Sequence, residues 1–254
     1  MANLSNTIRK FNRFELKYYL TLKKAEEFGD DISKYLLTDS YGDENGNYAV
    51  TSLYYDSPQY DFYWQKKEGI KFRRKLRIRY YESQQILKDN SKVFLEIKQR
   101  LDKVTQKRRI MLTLKEAIAL AQFKLAPKSL LAEDSLISQE IQSMSWQYNL
   151  QPSTVVSYFR QAFVGSDYDL GLRLTFDTNL RYRNNDLDLK SKSLGKYLFP
   201  IDMVVMEIKA NDRVPYWLSE LVAKHNLRLI RVSKYCQSVD LANSLFNVQS
   251  FQFS

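Results

Sequence analysis

The sequence predicts an α+β fold in which antiparallel strands form a β-barrel or tunnel with a charged interior, and helices pack on the outside. Three observations support this prediction. Five segments alternate charged and apolar residues with the period of a β-strand, and five others have the period of an amphipathic helix. Gly and Pro are scarce, at 7 and 5 of 254 residues, and no linker or repeat divides the chain. We therefore expect a single domain over residues 1–254.

The composition is that of a globular protein in a reducing compartment. Hydrophobic residues make up 44% of the chain and aromatic residues 14%. The single cysteine, Cys236, excludes an intramolecular disulfide. No run of 18 apolar residues and no signal sequence is found, so we expect a cytoplasmic protein without a membrane segment.

The net charge of +10 is confined to one fifth of the sequence. Residues 61–110 contain 16 Lys and Arg and 6 Asp and Glu, whereas the rest of the chain contains 23 of each sign. A charge that served only solubility would be spread evenly. The local excess indicates a binding site for an anion such as a nucleotide, a phosphate chain, nucleic acid or an anionic membrane.

The segment from Lys71 to Tyr80 has the strongest alternation. Successive side chains in a strand point to opposite faces, so the five cations at alternate positions share one face. At a spacing of roughly 7 Å these cations repel one another, and an anion should lie along them. They are Lys71, Arg73, Lys75, Arg77 and Arg79, opposite Phe72, Leu76, Ile78 and Tyr80, and only Arg74 breaks the apolar face.

Four more strands repeat the pattern, and each adds a carboxylate to the charged face. Such faces are usual where an antiparallel sheet meets water. The alternative is a closed sheet with inward-pointing charged faces, where buried charges persist only with charged partners or ligands. These faces carry Arg13, Glu15 and Lys17; Glu96, Lys98 and Arg100; Arg173, Thr175 and Asp177; and Glu207 and Lys209.

Helical segments lie between these strands. A capping box formed by Thr113 and Glu116 marks the start of one helix. The segments with helical period are residues 21–37, a segment from 113, and residues 129–148, 215–226 and 233–246.

Composition excludes several familiar active sites. His225 is the only histidine and Cys236 the only cysteine, so zinc clusters of His or Cys ligands are excluded. We interpret His225 as a helix cap and Cys236 as a packing residue. The chain also lacks P-loop and dinucleotide-binding glycine motifs, so any bound phosphate must be held by side chains.

Phosphoryl transfer needs few groups beyond those present. Arg forms bidentate contacts with phosphate oxygens, and Lys provides a point charge. A divalent cation held by carboxylates would complete such a site, because hard cations take oxygen ligands. Glu207, Glu96 and Glu15 are the candidate ligands for Mn²⁺ or Mg²⁺.

Eight short motifs follow one another along nearly the whole chain. They are FELKY (residues 14–18), SLYYD (52–56), KLRIRY (75–80), FLEIK (94–98), SYFR (157–160), LRLTFD (172–177), MEIK (206–209) and SKY (233–235). Each is weakly specific alone, but together and in this order they resemble the VTC domain. This is the catalytic domain of the vacuolar transporter chaperone complex and its bacterial relatives, within the triphosphate tunnel superfamily.

The resemblance implies an antiparallel tunnel, a divalent metal bound by Glu207, and transfer of the ATP γ-phosphate to a growing chain of inorganic polyphosphate. The implied catalytic set is Arg77, Arg79, Lys98, Arg160, Arg173 and Lys234. The implied phosphate-binding set is Lys17, Lys75, Lys107, Tyr158, Lys209 and Ser233.

Two features depart from the family. Related tunnel hydrolases and cyclases begin with Glu-x-Glu-x-Lys, whereas this chain has Arg13, Glu15 and Lys17 at the matching positions. Replacing a carboxylate by a cation favours holding a long polyanion over two-metal hydrolysis of a small triphosphate. The eukaryotic proteins also carry a phosphate-sensing domain and membrane helices. Neither is found in this sequence, which leaves a membrane partner open.

Three other functions stay open. They are a metal-dependent triphosphatase acting on tripolyphosphate or nucleoside triphosphates, a nucleic-acid-binding module, and a polyphosphate sensor without catalysis. Aromatic residues interleave with the basic segment, as nucleic-acid stacking platforms require. The alternation, however, places Phe72 and Tyr80 opposite the cations, and the interspersed carboxylates would repel a phosphate backbone. We therefore expect ATP and inorganic polyphosphate as partners, and no nucleic acid.

Overall fold

One antiparallel sheet dominates the computed structural model, which describes residues 13–82, 86–102, 104–128, 130–166, 169–211 and 213–243. The strands are β1 Arg13–Thr21, β2 Leu36–Thr38, β3 Asn47–Asp56, β4 Phe72–Glu82, β5 Lys92–Leu101, β6 Val104–Thr113, β7 Gln151–Gly165, β8 Arg173–Arg183, β9 Lys196–Tyr197 and β10 Met203–Asn211. The helices are α1 Leu22–Ile32, α2 Asp61–Lys67, α3 Leu114–Phe123, α4 Ala132–Gln147, α5 Tyr216–Lys224 and α6 Lys234–Ala242.

Each predicted helix is found, although two bounds differ from the prediction. The helix predicted over residues 21–37 ends at Ile32, because residues 36–38 form β2 and pair with β7. The last helix is observed to Ala242, and residues 244–246 of the predicted segment lie outside the described ranges. The predicted capping box is present, with the Thr113 side chain accepting from the Glu116 amide.

The strand order is β1-β10-β8-β7-β3-β4-β5-β6, with β2 also paired to β7 and β9 to β8. Among the described residues no backbone pairing joins β1 to β6, so the sheet is not closed into a barrel by hydrogen bonds. The two ends nevertheless approach each other, because Lys98 on β5 lies 2.7 Å from Glu15 on β1. The α+β class is confirmed, and the tunnel is a curled open sheet.

The register places the charged residues of neighbouring strands on one concave face. Glu207 on β10 lies between Lys17 on β1 and Thr175 on β8. On the other half of the sheet, Arg77 on β4 lies opposite Glu96 on β5. Because side chains alternate along each strand, the apolar residues between these positions point to the convex face.

Two hydrophobic clusters cover the convex face. One packs α3 and α4 onto β4, β5 and β6, and includes the fully buried Leu76, Ile78 and Leu95. The other packs α1 and α5 onto β1, β8 and β10. Burying each such side chain contributes about 1.5–3 kcal/mol relative to exposure. These four helices lie outside the sheet, as predicted.

Helix α6 contradicts the prediction that helices pack outside. Its Tyr235 and Val239 pack with Tyr54, Tyr158 and other residues of the concave face. The helical period of this segment predicts an apolar stripe but not which face of the sheet the stripe will cover.

A buried carboxylate fixes α6 in this position. Asp56, at the end of β3, accepts from the backbone amides of Phe62 and Tyr63 in α2 at 2.9 and 3.0 Å. It also accepts a short hydrogen bond from the Tyr235 hydroxyl in α6. Burial raises the pKa of Asp56. One side chain therefore joins the sheet to both α2 and α6.

Candidate active site

The centre of the concave face is organised around Glu207, whose side chain is only 6% exposed. Its carboxylate oxygens lie 2.8 Å from Lys209, 2.9 Å from Lys234 and 3.2 Å from Lys17. Arg160 lies at 3.7 Å. Burial favours the neutral carboxylic acid, but these cations hold the pKa of Glu207 well below its usual range.

Asp177 is the second buried carboxylate of this network, and it is fully buried. It accepts two hydrogen bonds from the Arg160 guanidinium at 2.6 and 2.8 Å, and Lys234 lies 2.5 Å away. Burial alone would lower the pKa of the Lys234 ammonium, but Asp177 and Glu207 raise it above its usual value. Asp177 therefore fixes two predicted catalytic cations in their charged forms. The sequence pattern placed Asp177 on the charged face but did not indicate this role.

Glu96 forms a separate centre on the opposite half of the sheet. Arg77 lies 2.7 Å from one oxygen of its carboxylate, and Lys107 lies 2.7 Å from the other. Despite burial, these cations lower the pKa of Glu96. Arg77 also donates to the Tyr54 hydroxyl at 3.1 Å, which makes Tyr54 a residue of the site that the sequence did not indicate.

The remaining predicted residues lie on the same face. Arg79 donates to the Ser52 hydroxyl at 2.9 Å and to the Tyr158 hydroxyl at 3.2 Å. Lys75 donates to the Ser233 hydroxyl, the N-cap of α6, at 2.6 Å.

Arg173 lies towards the end of the face where β3 begins. Its guanidinium is 2.6 Å from Asp39 and donates to the Tyr48 hydroxyl at 2.8 Å. The strand pattern could not reveal Asp39, because it lies in the segment between β2 and β3.

Four cations at the α6 end of the face have no carboxylate partner among the described residues, and we name them the mouth cations. Arg73 and Arg100 lie directly opposite each other on β4 and β5, an arrangement that is destabilising between like charges. Burial and the neighbouring Arg100 lower the pKa of Arg73. Burial and the neighbouring cations likewise lower the pKa of Lys66. The mouth cations are Lys66, Arg73, Lys75 and Arg100.

The three predicted metal ligands do not form one cluster. Glu15 and Glu207 share contacts with Lys17, whereas Glu96 is held by Arg77 and Lys107. In the described part of the chain no group of three or more His, Cys, Asp and Glu side chains could hold a metal ion.

The surroundings of Glu207 nevertheless resemble a metal site in which the protein supplies only a few of the ligands. The Thr175 hydroxyl, opposite Glu207 in the register, is buried and has no hydrogen-bond partner among the described residues. Mg²⁺ and similar ions usually take one or two carboxylates, and substrate phosphates supply other ligands. The donor set therefore fits a cation held by Glu207 together with a phosphate ligand.

The fold and the charged concave face define a tunnel-like α+β protein. The model of the VTC domain matches residues 12–243, and the chain belongs to this family. The resemblance seen in the eight motifs is thereby confirmed. None of the described helices is both long and apolar enough to cross a bilayer.

Several solved structures are similar to this chain at low sequence identity. A Hippeastrum protein described as an adenylyl cyclase with a dominant triphosphatase activity is 15% identical, with a TM-score of 0.52 over 89% of this chain and 96% of that chain. A Bacillus halodurans protein described as an adenylate cyclase is 16% identical, with a TM-score of 0.47 over 86% and 92%. A Pyrococcus horikoshii protein is 13% identical, with a TM-score of 0.47 over 90% and 99%. No curated protein matches the sequence.

Replacing Asp177 by Asn should destabilise the protein strongly. Asn keeps the shape but removes the bidentate carboxylate partner of Arg160 and leaves Lys234 with Glu207 alone. Breaking a buried ion pair in this way costs about 3–5 kcal/mol. Asp89→Asn is the matched control, because Asp89 pairs with Lys190 on the surface and its replacement should change the free energy of unfolding little. Urea unfolding measures both free energies, and equal effects would contradict the role of Asp177.

Proposed function

We propose that this protein is an ATP-dependent polyphosphate polymerase that transfers the γ-phosphate of ATP to a growing chain of inorganic polyphosphate. The observation that carries the proposal is the row of mouth cations. They extend the charged face beyond the paired network at Glu207, Asp177 and Glu96. A chain longer than a triphosphate would neutralise them, whereas a short triphosphate held by the paired network would not need them.

The proposed reaction joins two phosphate groups held along the concave face. A terminal oxygen of the chain attacks the γ-phosphorus, the bond from that phosphorus to the bridging oxygen breaks, and ADP leaves with the negative charge. Charge on the transferred group is spread over its outer oxygens, so fixed cations stabilise the transition state. Arg160 and Lys234, which Asp177 holds charged, are suited to this role.

The remaining cations would position the two substrates. Arg77 is fixed by Glu96 and Tyr54, and Arg79 by Ser52 and Tyr158, so both guanidinium groups are ordered before a phosphate binds. Lys17, Lys209, Lys98 and Lys107 pair with carboxylates of the site and can redirect their ammonium groups to phosphate oxygens.

A divalent ion completes the proposed site. Glu207 would hold Mn²⁺ or Mg²⁺, and the buried Thr175 hydroxyl, opposite it in the register, would offer a further oxygen ligand. When bound, the ion would supply positive charge at the phosphate oxygens.

Hydrolysis of a triphosphate is the second candidate function, because the similar Hippeastrum protein is described as having a dominant triphosphatase activity. A nucleic-acid ligand is disfavoured, since Phe72 and Tyr80 alternate with the cations of β4 and so lie on the opposite face of the strand, where they cannot stack on bases of a backbone bound to those cations. We keep a cytoplasmic location as part of the proposal, on the basis of the single cysteine.

Purified protein supplied with ATP and Mn²⁺ should accumulate a phosphate polymer, which gel electrophoresis resolves by length. Glu207→Gln should abolish this synthesis but retain tripolyphosphate binding, because the substitution removes a metal ligand and a negative charge together. Release of orthophosphate alone would favour the triphosphatase. Unchanged synthesis by Glu207→Gln would remove Glu207 from the site.

The double substitution Lys66→Ala and Arg73→Ala should shorten the effective binding site. We expect affinity for long-chain polyphosphate to fall about tenfold, because two cations without carboxylate partners among the described residues are lost. Affinity for tripolyphosphate should change less than about twofold. Isothermal titration calorimetry measures both. The control is Lys23→Ala with Lys24→Ala, on the exposed face of α1. Equal losses of affinity for long-chain polyphosphate and for tripolyphosphate would contradict a binding site longer than a triphosphate.

Tripolyphosphate binding should weaken as the pH rises through about 8. Burial is the main cause that lowers the pKa values of Lys107 and Lys209 to about 8, so both ammonium groups lose their charge above that pH. Burial resists ionisation of Tyr54, but Arg77, Arg79 and Lys75 lower its pKa to about 8, so the phenol adds repulsion in the same range.

The test is the dissociation constant of tripolyphosphate from pH 6.5 to 9.5, measured for the protein and for Lys209→Arg. The ligand itself gains negative charge over this range, but it does so equally for both proteins, so the difference between the two profiles reports the protein groups. Lys209→Arg should flatten the profile, because a guanidinium stays charged throughout. Profiles of the same shape for the protein and for Lys209→Arg would refute the assignment.

A further inference from the structure

A cluster of aromatic side chains lies at the end of the concave face opposite the mouth cations, and we name it the aromatic rim. Tyr81 and Phe94 lie near one end of β4 and β5, whereas Arg73 and Arg100 lie near the other. The aromatic rim consists of Tyr41, Tyr48, Tyr81 and Phe94, with Arg109 beside them.

The rings pack edge to face and leave their outer faces available. Tyr41 lies 4.9 Å from Tyr81 and 5.4 Å from Tyr48 between ring centroids, with interplanar angles of 66° and 76°. Tyr41 is 57% exposed, and the other three rings are only half-buried. If these four aromatic side chains served only to stabilise the fold, they would be buried, because aromatic residues contribute most to stability when they are removed from water.

Arg109 adds a cation to this surface. Its guanidinium lies 4.3 Å from the centroid of the Phe94 ring, and it has no carboxylate partner among the described residues. A stacked guanidinium and an exposed aromatic ring, here that of Tyr41, are groups that bind a planar nucleobase.

The aromatic rim is connected directly to the phosphate-binding cations. Tyr48 accepts a hydrogen bond from Arg173, and Asp39 contacts both Arg173 and the backbone amide of Tyr41. Phe94 lies opposite Arg79 in the register. A ligand with a base on the rim would therefore have its phosphates on these cations.

We propose that the aromatic rim is the nucleobase-binding site for the phosphate donor, an inference that rests on the proposed function. The base stacks on Tyr41, and the phosphates lie inward along the concave face. The nucleotide then enters at the rim, and the product chain extends towards the mouth cations.

Equilibrium binding of ATP and of tripolyphosphate separates the base from the phosphates. Tyr41→Ala should weaken ATP binding about tenfold, since stacking of a base on one aromatic ring has this magnitude. Binding of tripolyphosphate, which has no base, should change less than about twofold. Tyr41→Trp should restore ATP affinity, and Tyr216→Ala, an exposed tyrosine on α5, should alter neither ligand.

Equal weakening of both ligands by Tyr41→Ala, or no weakening of either, would overturn the inference. Because no turnover is required, the result is independent of the polymerase assay. Tyr41-dependent ATP binding without polymer synthesis would refute the proposed function and leave the rim assignment in place. Polymer synthesis together with ATP binding that does not depend on Tyr41 would refute the rim assignment and leave the proposed function in place.

Discussion

The buried ion pairs around Glu207 and Asp177 are the constraint on which the rest of the structure depends. A charged group removed from water is tolerated only when it is paired, so each carboxylate of the concave face must meet a cation from another strand or helix. The antiparallel register places Lys17 and Lys209 beside Glu207, and the N-terminus of α6 supplies Lys234. The two convex clusters then hold the strands in that register.

This network also explains how the concave face can be stable in the folded protein and still bind an anion. Without a ligand, the carboxylates pair with the cations of the centre, which stabilises the empty interior and still leaves an excess of positive charge for an anion. An entering phosphate chain can share those cations at little cost in reorganisation, because Arg77, Arg79 and Arg160 are already fixed by hydrogen bonds. The mouth cations and Arg109 lack carboxylate partners among the described residues. A bound anion therefore gains the most favourable electrostatic energy at these positions.

Period-two alternation predicted which residues share the concave face, because a strand offers only two faces. It could not predict which carboxylate meets which cation, since that depends on strand order, and so Glu96 was grouped with Glu15 and Glu207. Asp177 was placed on the correct face without its role, as its partner Lys234 is 57 residues away in α6. The side of the sheet covered by α6 depends on Asp56 and Tyr235, a contact between distant segments without a local sequence signal.

The position of Lys234 has a consequence for biosynthesis. Asp177 and Glu207 leave the ribosome before residue 234 does, and until then one of their principal counter-charges is missing. Folding of the interior therefore depends on contacts of high sequence separation, which form slowly and late during synthesis. The convex cluster of α3 and α4 on β4, β5 and β6 uses residues that are closer together in the chain and can assemble earlier. The nascent chain should thus assemble this one convex cluster first and complete its charged interior last.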